Sequence, residues 1–427
     1  MQKNLKQLTV FEHQKLRLGD TVNGIEFDLE TLTALQKYYG ESGVPYYTLI
    51  HNGVCFNEYV GVIQVRNFLI EVLPKADNVR LQAEGHLENV AWRDILIKML
   101  FSVGMFDIHA PSSSSLKLRQ NSILDLYFEL FIKEVEYLLH IGLVKKYRKK
   151  DGNLNALKGR INFAKQIQHN LIHAEMFYMN HSTYDVEHHI HLILYKAIRV
   201  LRQINMYSQL HSRIGNLMLY FPEMPDIKIS PAIFDRIVLD RKTKHYEGAI
   251  KIARLILLRL SPDISRGSDE VLALMFDMNK LWEKFIYVSL RKNREEGLIV
   301  NEQSPKKFWR AQGGSASTMR PDIVVKMDNR CVVLDTKWKS LKGSNPSPED
   351  LRQMFVYHQY FEAERVALVY PGNTGSVNKG KYLDPFTAED TNKECSIVVI
   401  DVNANILEWQ KDIYIKLSNM WSYAHTV

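Results

Sequence analysis

From Gln7 to about Asp77, apolar and polar positions alternate in short runs such as GVCFNEYVGVIQV and NFLIEVLPKAD, with turn residues between them. Period two predicts half-buried strands, so residues 1–110 read as a β-rich N-terminal domain. The spacing then turns helical: Trp92 to Phe106 predicts an amphipathic helix, and Pro111 with Ser112 to Ser115 forms a polar hinge before a long helix from Ile123 to Ile141. Two further helical blocks, Tyr184 to Tyr207 and Tyr246 to Leu260, flank a stretch holding Pro222, Pro225 and Pro231. Residues 111–267 therefore read as a helical middle region. SPDISRGS, Ser261 to Ser268, is poor in apolar residues and sets the last boundary, leaving 268–427 as a domain expected to close its own core. No internal repeat is visible.

That last segment carries the chemistry. After an expected helix from Glu270 to about Lys292, MRPDIVVKMDNRCVVLDTKWKSL reads as a β-hairpin: PDIVVKM and CVVLDTK are rich in β-branched residues, and Asp328 with Asn329 is a favoured turn pair. A turn centred there sets Asp322 across from Asp335. Opposed side chains have Cβ atoms about 4.5–5.5 Å apart, and two carboxylates at that spacing repel unless a cation lies between them. Period two also places Lys337 on the face of Asp335 and sends Leu334 and Thr336 to the other layer. Two carboxylates, an ammonium and the Thr336 backbone carbonyl form an oxygen-rich set suited to Mg²⁺ or Mn²⁺. Such an ion activates water for in-line attack on a phosphodiester, while Lys337 shares the developing charge or helps deprotonate the water. Surface charges on a hairpin, with Lys337 as their salt-bridge partner, are the alternative.

Context favours the first reading. A helix precedes the hairpin, and PEDLRQMFVYHQYFEAE, VALVYP and CSIVVIDV supply a helix and two strands after it, an α-β-β-α-β order that builds a mixed sheet flanked by helices. In this order the chain resembles the PD-(D/E)xK nuclease superfamily, and closely its McrC branch, the nuclease subunit of McrBC-type modification-dependent (type IV) restriction enzymes. The resemblance rests on GVIQV and IEVLPK, on LKGRINF, and on FDMNKLWEKFI, RPDIVV, LDTKWK, the helix with Gln353 and Tyr357, and ALVYP. It implies a multidomain α+β protein with a restriction-endonuclease-like C-terminal α/β domain, and catalytic positions at Asp322, Asp335 and Lys337. Glu283 matches an acidic residue that related nucleases place near the metal. On a helical wheel it lies away from the buried face of Met275, Met278, Trp282 and Phe285, so a solvated glutamate is the alternative. Gln353 and Tyr357, four apart, share a helix face and reach either the motif strands, a DNA phosphate or ordinary packing. Lys339 is expected to touch phosphate.

Composition narrows the classes. Across 427 residues, 46% apolar and 24% charged describe an ordered globular chain, and a net charge of +7 suits a partner with a phosphate backbone, which the resemblance implies is double-stranded DNA. The basic run Lys145, Lys146, Arg148, Lys149 and Lys150 reads equally as a solvated loop. Cys55, Cys331 and Cys395 lie far apart, without disulfide or zinc spacing. No leader or membrane span is expected, which points to the cytoplasm. GSVNKGKY, Gly375 to Tyr382, mimics a Walker A loop, but Tyr382 stands where Ser or Thr must hold Mg²⁺, so it reads as a flexible loop without nucleotide. His188, His189 and His191 read as helix-surface histidines.

The resemblance thus implies an endonuclease subunit that stimulates and works with a McrB-like AAA+ GTPase ring, GTP being bound by that partner and not by this chain. Two rivals are a non-catalytic adaptor that activates the GTPase, and a stand-alone repair nuclease, for which iron-sulfur cysteines are lacking.

Overall fold

The computed structural model describes residues 6–65, 68–74, 86–104, 123–173, 175–205, 208–260, 271–327, 330–339, 341, 345–372 and 375–421. The chain divides into two compact units, residues 1–106 with 269–427, and residues 107–268. Both the Asp328–Asn329 turn and the Ser112–Ser115 hinge lie outside the described residues.

The first unit begins with β1 (Lys6–Phe11), β2 (Lys15–Arg17), β3 (Thr21–Val22), β4 (Ile25–Glu26), α1 (Leu29–Ser42), β5 (Tyr47–Ile50), β6 (Gly53–Phe56), β7 (Tyr59–Val65), β8 (Phe68–Leu73) and α2 (His86–Ser102). Period two gave no hint of α1. Its signals are local: the Asp28 carboxylate caps it by accepting from the Thr31 amide, and Gly43 in the left-handed region closes it onto the Tyr39 carbonyl.

The second unit holds α3 (Ile123–Ile141), β9 (Lys146–Leu154), β10 (Arg160–Ile161), α4 (Phe163–Asn170), β11 (Phe177–Asp185), α5 (His189–Ile204), α6 (Ser208–Tyr220), α7 (Pro231–Asp235) and α8 (Glu247–Leu255). It is not wholly helical. The basic run, for which a solvated loop is one of two readings, enters β9 at Lys146, and β9 pairs with β11 from Lys146↔Asp185 to Leu154↔Phe177. His191 is fully buried, not on a helix surface. Its Nδ1–H donates to the Val186 carbonyl, and its Nε2 lies 2.9 Å from the Tyr246 hydroxyl, which itself accepts from the Val144 amide.

The chain then returns to the first unit with β12 (Val271–Asp277), α9 (Met278–Asn293), β13 (Ile299–Glu302), β14 (Lys306–Arg310), β15 (Ala316–Met319), β16 (Ile323–Met327), β17 (Arg330–Thr336), α10 (Pro348–Phe361), β18 (Arg365–Gly372), β19 (Ser376–Leu383), β20 (Asp390–Asp401) and α11 (Ile406–Ser418). Here two expectations are corrected. The helix anticipated from Glu270 starts only at Met278, because VLALMFD is a buried strand; a continuous apolar run does not separate strand from helix by periodicity. Asp277 ends the strand and caps the helix, accepting from the Asn279 and Lys280 amides. The GSVNKGKY segment is β19, an exposed edge strand antiparallel to β20.

The strand β12 also overturns the expectation of separate N- and C-terminal domains. It completes a four-stranded sheet ordered β1-β8-β7-β12, pairing with β7 from Val271↔Val65 to Asp277↔Tyr59. Val271, Ala273 and Met275 share one apolar core with Leu8, Val10, Phe56, Ile63 and Val72. Gly61 permits the pairing: at φ +138 its missing Cβ would fall 2.1 Å from the Leu274 carbonyl oxygen. Further along, the Trp338 indole N–H donates to buried Glu12 at 2.7 Å, and α2 and α9 pack together. A core that begins in one segment and ends in another makes a single unit.

Within this unit, a six-stranded mixed sheet ordered β13-β16-β17-β18-β20-β19 carries the sequence motif in its middle. β16 and β17 are antiparallel, while β17, β18 and β20 run parallel. α10 covers one part of this sheet, its Met354 and Tyr357 packing with Val324, Val333, Val366 and Leu368. α9 packs with α11, where Trp282 lies 5.3 Å from Trp338 and 5.6 Å from Trp409 between ring centres. The result is a mixed α/β protein of several sheets. Among the described residues no helix is long and apolar enough to cross a membrane.

Candidate active site

The hairpin register agrees with the sequence expectation where it is paired: Ile323 faces Leu334, Val324 faces Val333 and Lys326 faces Cys331. Pairing stops at Ile323, one residue short of Asp322, which sits in a bend. Asp322 therefore does not simply oppose Asp335. Its Oδ2 accepts from the Thr336 amide at 2.7 Å and from the Thr336 hydroxyl at 2.9 Å. Thr336, expected to serve only through its carbonyl and to point into the other layer, instead fixes one of the two carboxylates.

Asp335 is 2% exposed at the end of β17. Its Oδ2 lies 2.7 Å from the Lys337 ammonium, and its Oδ1 accepts from the Gln353 amide at 3.2 Å. Burial, then the neighbouring Asp322 charge, pushes the Asp335 carboxyl up to about 6 despite the pull of Lys337. Burial and the Glu283 charge likewise raise Asp322, against the two Thr336 hydrogen bonds. The two carboxylates thus act on one another electrostatically, as the sequence expectation required, though through a bend and not a ladder rung.

Glu283 belongs with them. Trp282 and Phe285 on the same helix are buried, and Glu283 is half-buried, near enough to the motif for its charge to act on Asp322 and Asp335. Burial raises its carboxyl, with Glu302 and Asp335 adding to the rise, and Gln303 donates to its Oε1 at 2.5 Å. Gln353 and Tyr357 also come to the site: Gln353 donates to the Tyr357 hydroxyl at 2.7 Å as well as to Asp335, and that hydroxyl donates to the Arg320 carbonyl at 3.3 Å. Burial pushes the Tyr357 phenol up to about 12. Lys339 pairs with Asp350 at 2.9 Å, not with the carboxylate cluster.

Two residues escaped the sequence reading. Asp350 lies in the first turn of α10, where Ser347 caps its amide, and stands 3.9 Å from Lys337 and 2.9 Å from Lys339. Its spacing was a usable signal, since it precedes Gln353 by three on the same helix face. Gln303 holds Glu283 while its own amide donates to the Asp322 carbonyl at 3.0 Å, and it does so at φ +50. Nothing in NEQSP announces that geometry.

Among the described residues, no three His, Cys, Asp or Glu side chains converge into a ready-made metal cage. The set fits a cation of the Mg²⁺ type nonetheless, because such ions are held by one or two carboxylates with water and substrate oxygens completing the shell. Asp322 and Asp335 would be the two carboxylates of such a site, with the Lys337 ammonium supplying positive charge beside them.

The basic run of the second unit is less available. Arg148 is engaged by Glu187 and Asp185, Lys150 lies 3.6 Å from Glu187, and Lys146 lies 3.8 Å from Asp240.

Comparison with known proteins places the whole. The chain resembles the Escherichia coli (strain K12) protein described as type IV methyl-directed restriction enzyme EcoKMcrBC, 21% identical over 257 residues covering 56% of this chain and 70% of that protein. Its fold matches a chain from the refined half-complex of the tetradecameric assembly of Thermococcus gammatolerans McrB AAA+ hexamers with bound McrC. There the TM-score is 0.71 at 19% identity, over 97% of this chain and all of that one. A chain of the Thermococcus gammatolerans McrBC complex matches with a TM-score of 0.51 at 18% identity, over 67% of this chain and 88% of that one. The family described as McrBC 5-methylcytosine restriction system component matches residues 54–371, which take in β7 and β8, the second unit and the carboxylate cluster, so the chain belongs to that family.

Proposed function

We propose that this chain is the McrC-type subunit of a McrBC-like restriction complex, a cytoplasmic metal-dependent endonuclease of the PD-(D/E)xK kind that cuts methylated double-stranded DNA. The observation that carries the reading is the convergence of buried Asp335 with half-buried Asp322 and Lys337 at the ends of the central strands of a mixed sheet, joined by Glu283 from α9. Placing two mutually repelling carboxylates beneath an ammonium costs stability, and such a cost is kept where the groups have chemical work.

Asp322 and Asp335, with the Thr336 carbonyl and with Glu283 near them, would hold Mg²⁺ or Mn²⁺. When bound, the ion supplies a water of lowered pKa and a Lewis acid for the scissile phosphate. Thr336 aims Asp322, and Gln353 with Tyr357 aims Asp335. Lys337 lies between Asp335 and Asp350, two carboxylates that hold it charged, so its part is to stabilise negative charge building on the phosphorus oxygens. Lys339, tied to Asp350, is within reach of the neighbouring phosphate.

The GTPase role falls to a separate AAA+ ring of the McrB kind, which this chain stimulates. The one stretch here that mimics a phosphate-binding loop is edge strand β19, and a turn followed by β20 stands where a helix N-terminus would have to receive phosphates. The reading is tested by mixing the chain with its ring partner, GTP, Mg²⁺ and methylated duplex. Asp335→Ala or Lys337→Ala should abolish cutting while stimulated GTP turnover persists, and chelation of the wild type should stop cutting together with the Mg²⁺-dependent GTP turnover; undiminished cutting by Asp335→Ala would sink it. A wild type that stimulates GTP turnover and never cuts would favour the adaptor.

A further inference from the structure

Between β13 and β16 the chain leaves the main sheet to form a two-stranded ribbon of its own, β14 with β15. From Gln303 to Pro321 it contains Lys306, Lys307, Arg310 and Arg320 and no acidic residue. Every residue of β14 is exposed, including Phe308 and Trp309, the latter 59% exposed. A two-stranded ribbon leaves an open edge on each strand, and an exposed edge of this kind is normally a liability unless something covers it.

The ribbon is anchored as well as exposed. Lys306 donates to the Tyr360 carbonyl and lies 5.5 Å from the Phe361 ring centre. The strands slip register between Lys307 and Trp309, and the intervening Phe308 meets Tyr360 edge-on, its carbonyl accepting from the Tyr360 hydroxyl at 3.3 Å. Gly313, at φ +75, forms the tip. Lys306 and Phe308 thus serve as the mooring on α10. Lys307, Arg310 and Arg320 carry no ion pair among the described residues. This contrasts with the second unit, whose basic run is largely neutralised.

Both legs of the ribbon end at the carboxylate cluster. The first leg ends at Gln303, which bonds Asp322 and Glu283; the second ends at Arg320, whose carbonyl is bonded by Tyr357, two residues before Asp322. The ribbon therefore springs directly from the edge of the cluster. At ~3.3 Å per residue, Ser317, the partner of Trp309, lies up to ~17 Å along the strand from Asp322, which is about five base pairs of duplex.

We infer that the β14–β15 ribbon is a DNA-holding arm of the nuclease site, with Lys307, Arg310 and Arg320 on backbone phosphates and the Trp309 indole against the sugars and base edges of the groove. This rests on the reading of the cluster as a nuclease centre and adds the element that grips the substrate. Positive charge without acidic neighbours selects a polyanion, and the free indole between two cations selects one with apolar surface between its charges.

The test is duplex binding by the full chain, followed by fluorescence anisotropy with a labelled 30-base-pair oligonucleotide in chelator across a salt series. Each phosphate contact adds about 0.9 to the slope of log affinity against log salt. Lys307→Ala with Arg310→Ala should weaken binding about tenfold near 0.1 M salt and reduce that slope by about 2. Trp309→Ala should weaken binding several-fold and leave the slope alone. All three positions are exposed, so thermal unfolding should match wild type and separate lost binding from lost fold. If wild type binds duplex and both variants bind it with unchanged affinity and slope, the ribbon is not a DNA arm, and the nuclease reading stands. If both bind duplex normally but fail to associate with the GTPase ring, the ribbon is a protein contact and the inference is overturned. If wild type itself binds no duplex at any salt, alone or with the ring, the nuclease reading falls together with the inference.

Discussion

The carboxylate of Asp322 is held by the residue that follows Asp335, for Thr336 gives it both its amide and its hydroxyl. Two hydrogen bonds to one oxygen fix the orientation of a carboxylate that ladder pairing leaves outside the strand. Thr336→Val keeps the shape and the amide bond but removes the hydroxyl. Hydrogen bonds to charged groups are worth about 1.5–3 kcal/mol, and each ~1.4 kcal/mol is tenfold in rate. We expect cleavage to fall by about tenfold or more, with Thr336→Ser close to wild type. Single-turnover cleavage rates of the two variants decide it, and equal rates for Val and wild type would show that the amide alone suffices.

Buried like charges predict a response to cations. In chelator, Asp335→Asn should raise the thermal midpoint of the first unit, because it relieves the repulsion with Asp322 while Asp350 still neutralises Lys337. Mg²⁺ should stabilise the wild type by about 2.7 kcal/mol at a hundred times the dissociation constant, raising its midpoint with the logarithm of concentration, and leave the variant unmoved. Calorimetry with and without Mg²⁺ reads both effects; a wild type indifferent to Mg²⁺ would argue against a metal at this cluster.

The shared core predicts that the two ends of the chain stand or fall together. Gly61→Ala places a methyl group against the Leu274 carbonyl oxygen and at a φ that L-residues avoid, so it should destabilise the first unit by roughly 3 kcal/mol or more. A fragment starting at residue 269 should expose the apolar face of β12 and fail to fold cooperatively. Cooperative unfolding of that fragment would show that the C-terminal segment closes a core alone.

A pH effect is expected in the second unit. Burial holds the His191 imidazole well below its usual range, at about 4, and the neutral ring is fully used by Val186 and Tyr246. The folded pKa is depressed, so neutral His191 favours the fold above the unfolded pKa of about 6.5, and stability is lost as pH falls from there toward 4. The loss amounts to about 3 kcal/mol at most. His188, also lowered by burial, adds in the same direction. Denaturant midpoints at pH 7 and pH 4.5 should differ clearly in wild type and much less in His191→Gln; equal acid sensitivity would place the titration elsewhere.

What the sequence determined by itself is local. β-branched runs on either side of Asp328–Asn329 specify β16 and β17, and period two specifies which residue faces which, because the pleat leaves no other choice once a turn is placed. The long apolar stripe gave α3 its bounds, and Ser347, Pro348 and the acidic first turn gave α10 its start. The motif residues Asp335 and Lys337 were legible for the same reason. Tertiary structure decided everything that depends on a partner distant in the chain. VLALMFD is equally apolar as helix or strand, and only the open edge of β7 made it a strand. The boundary at Ser268 closes a compact unit set within the first and does not open a third domain, because the core that β12 completes begins some 200 residues earlier in β1, β7 and β8. Glu283 could not be told from a solvated glutamate until α9 was packed, and Gln303, Asp350 and the ribbon carry no periodic signal, since hydrogen bonds and charge placement across elements are set by how those elements meet and not by the spacing within any one of them.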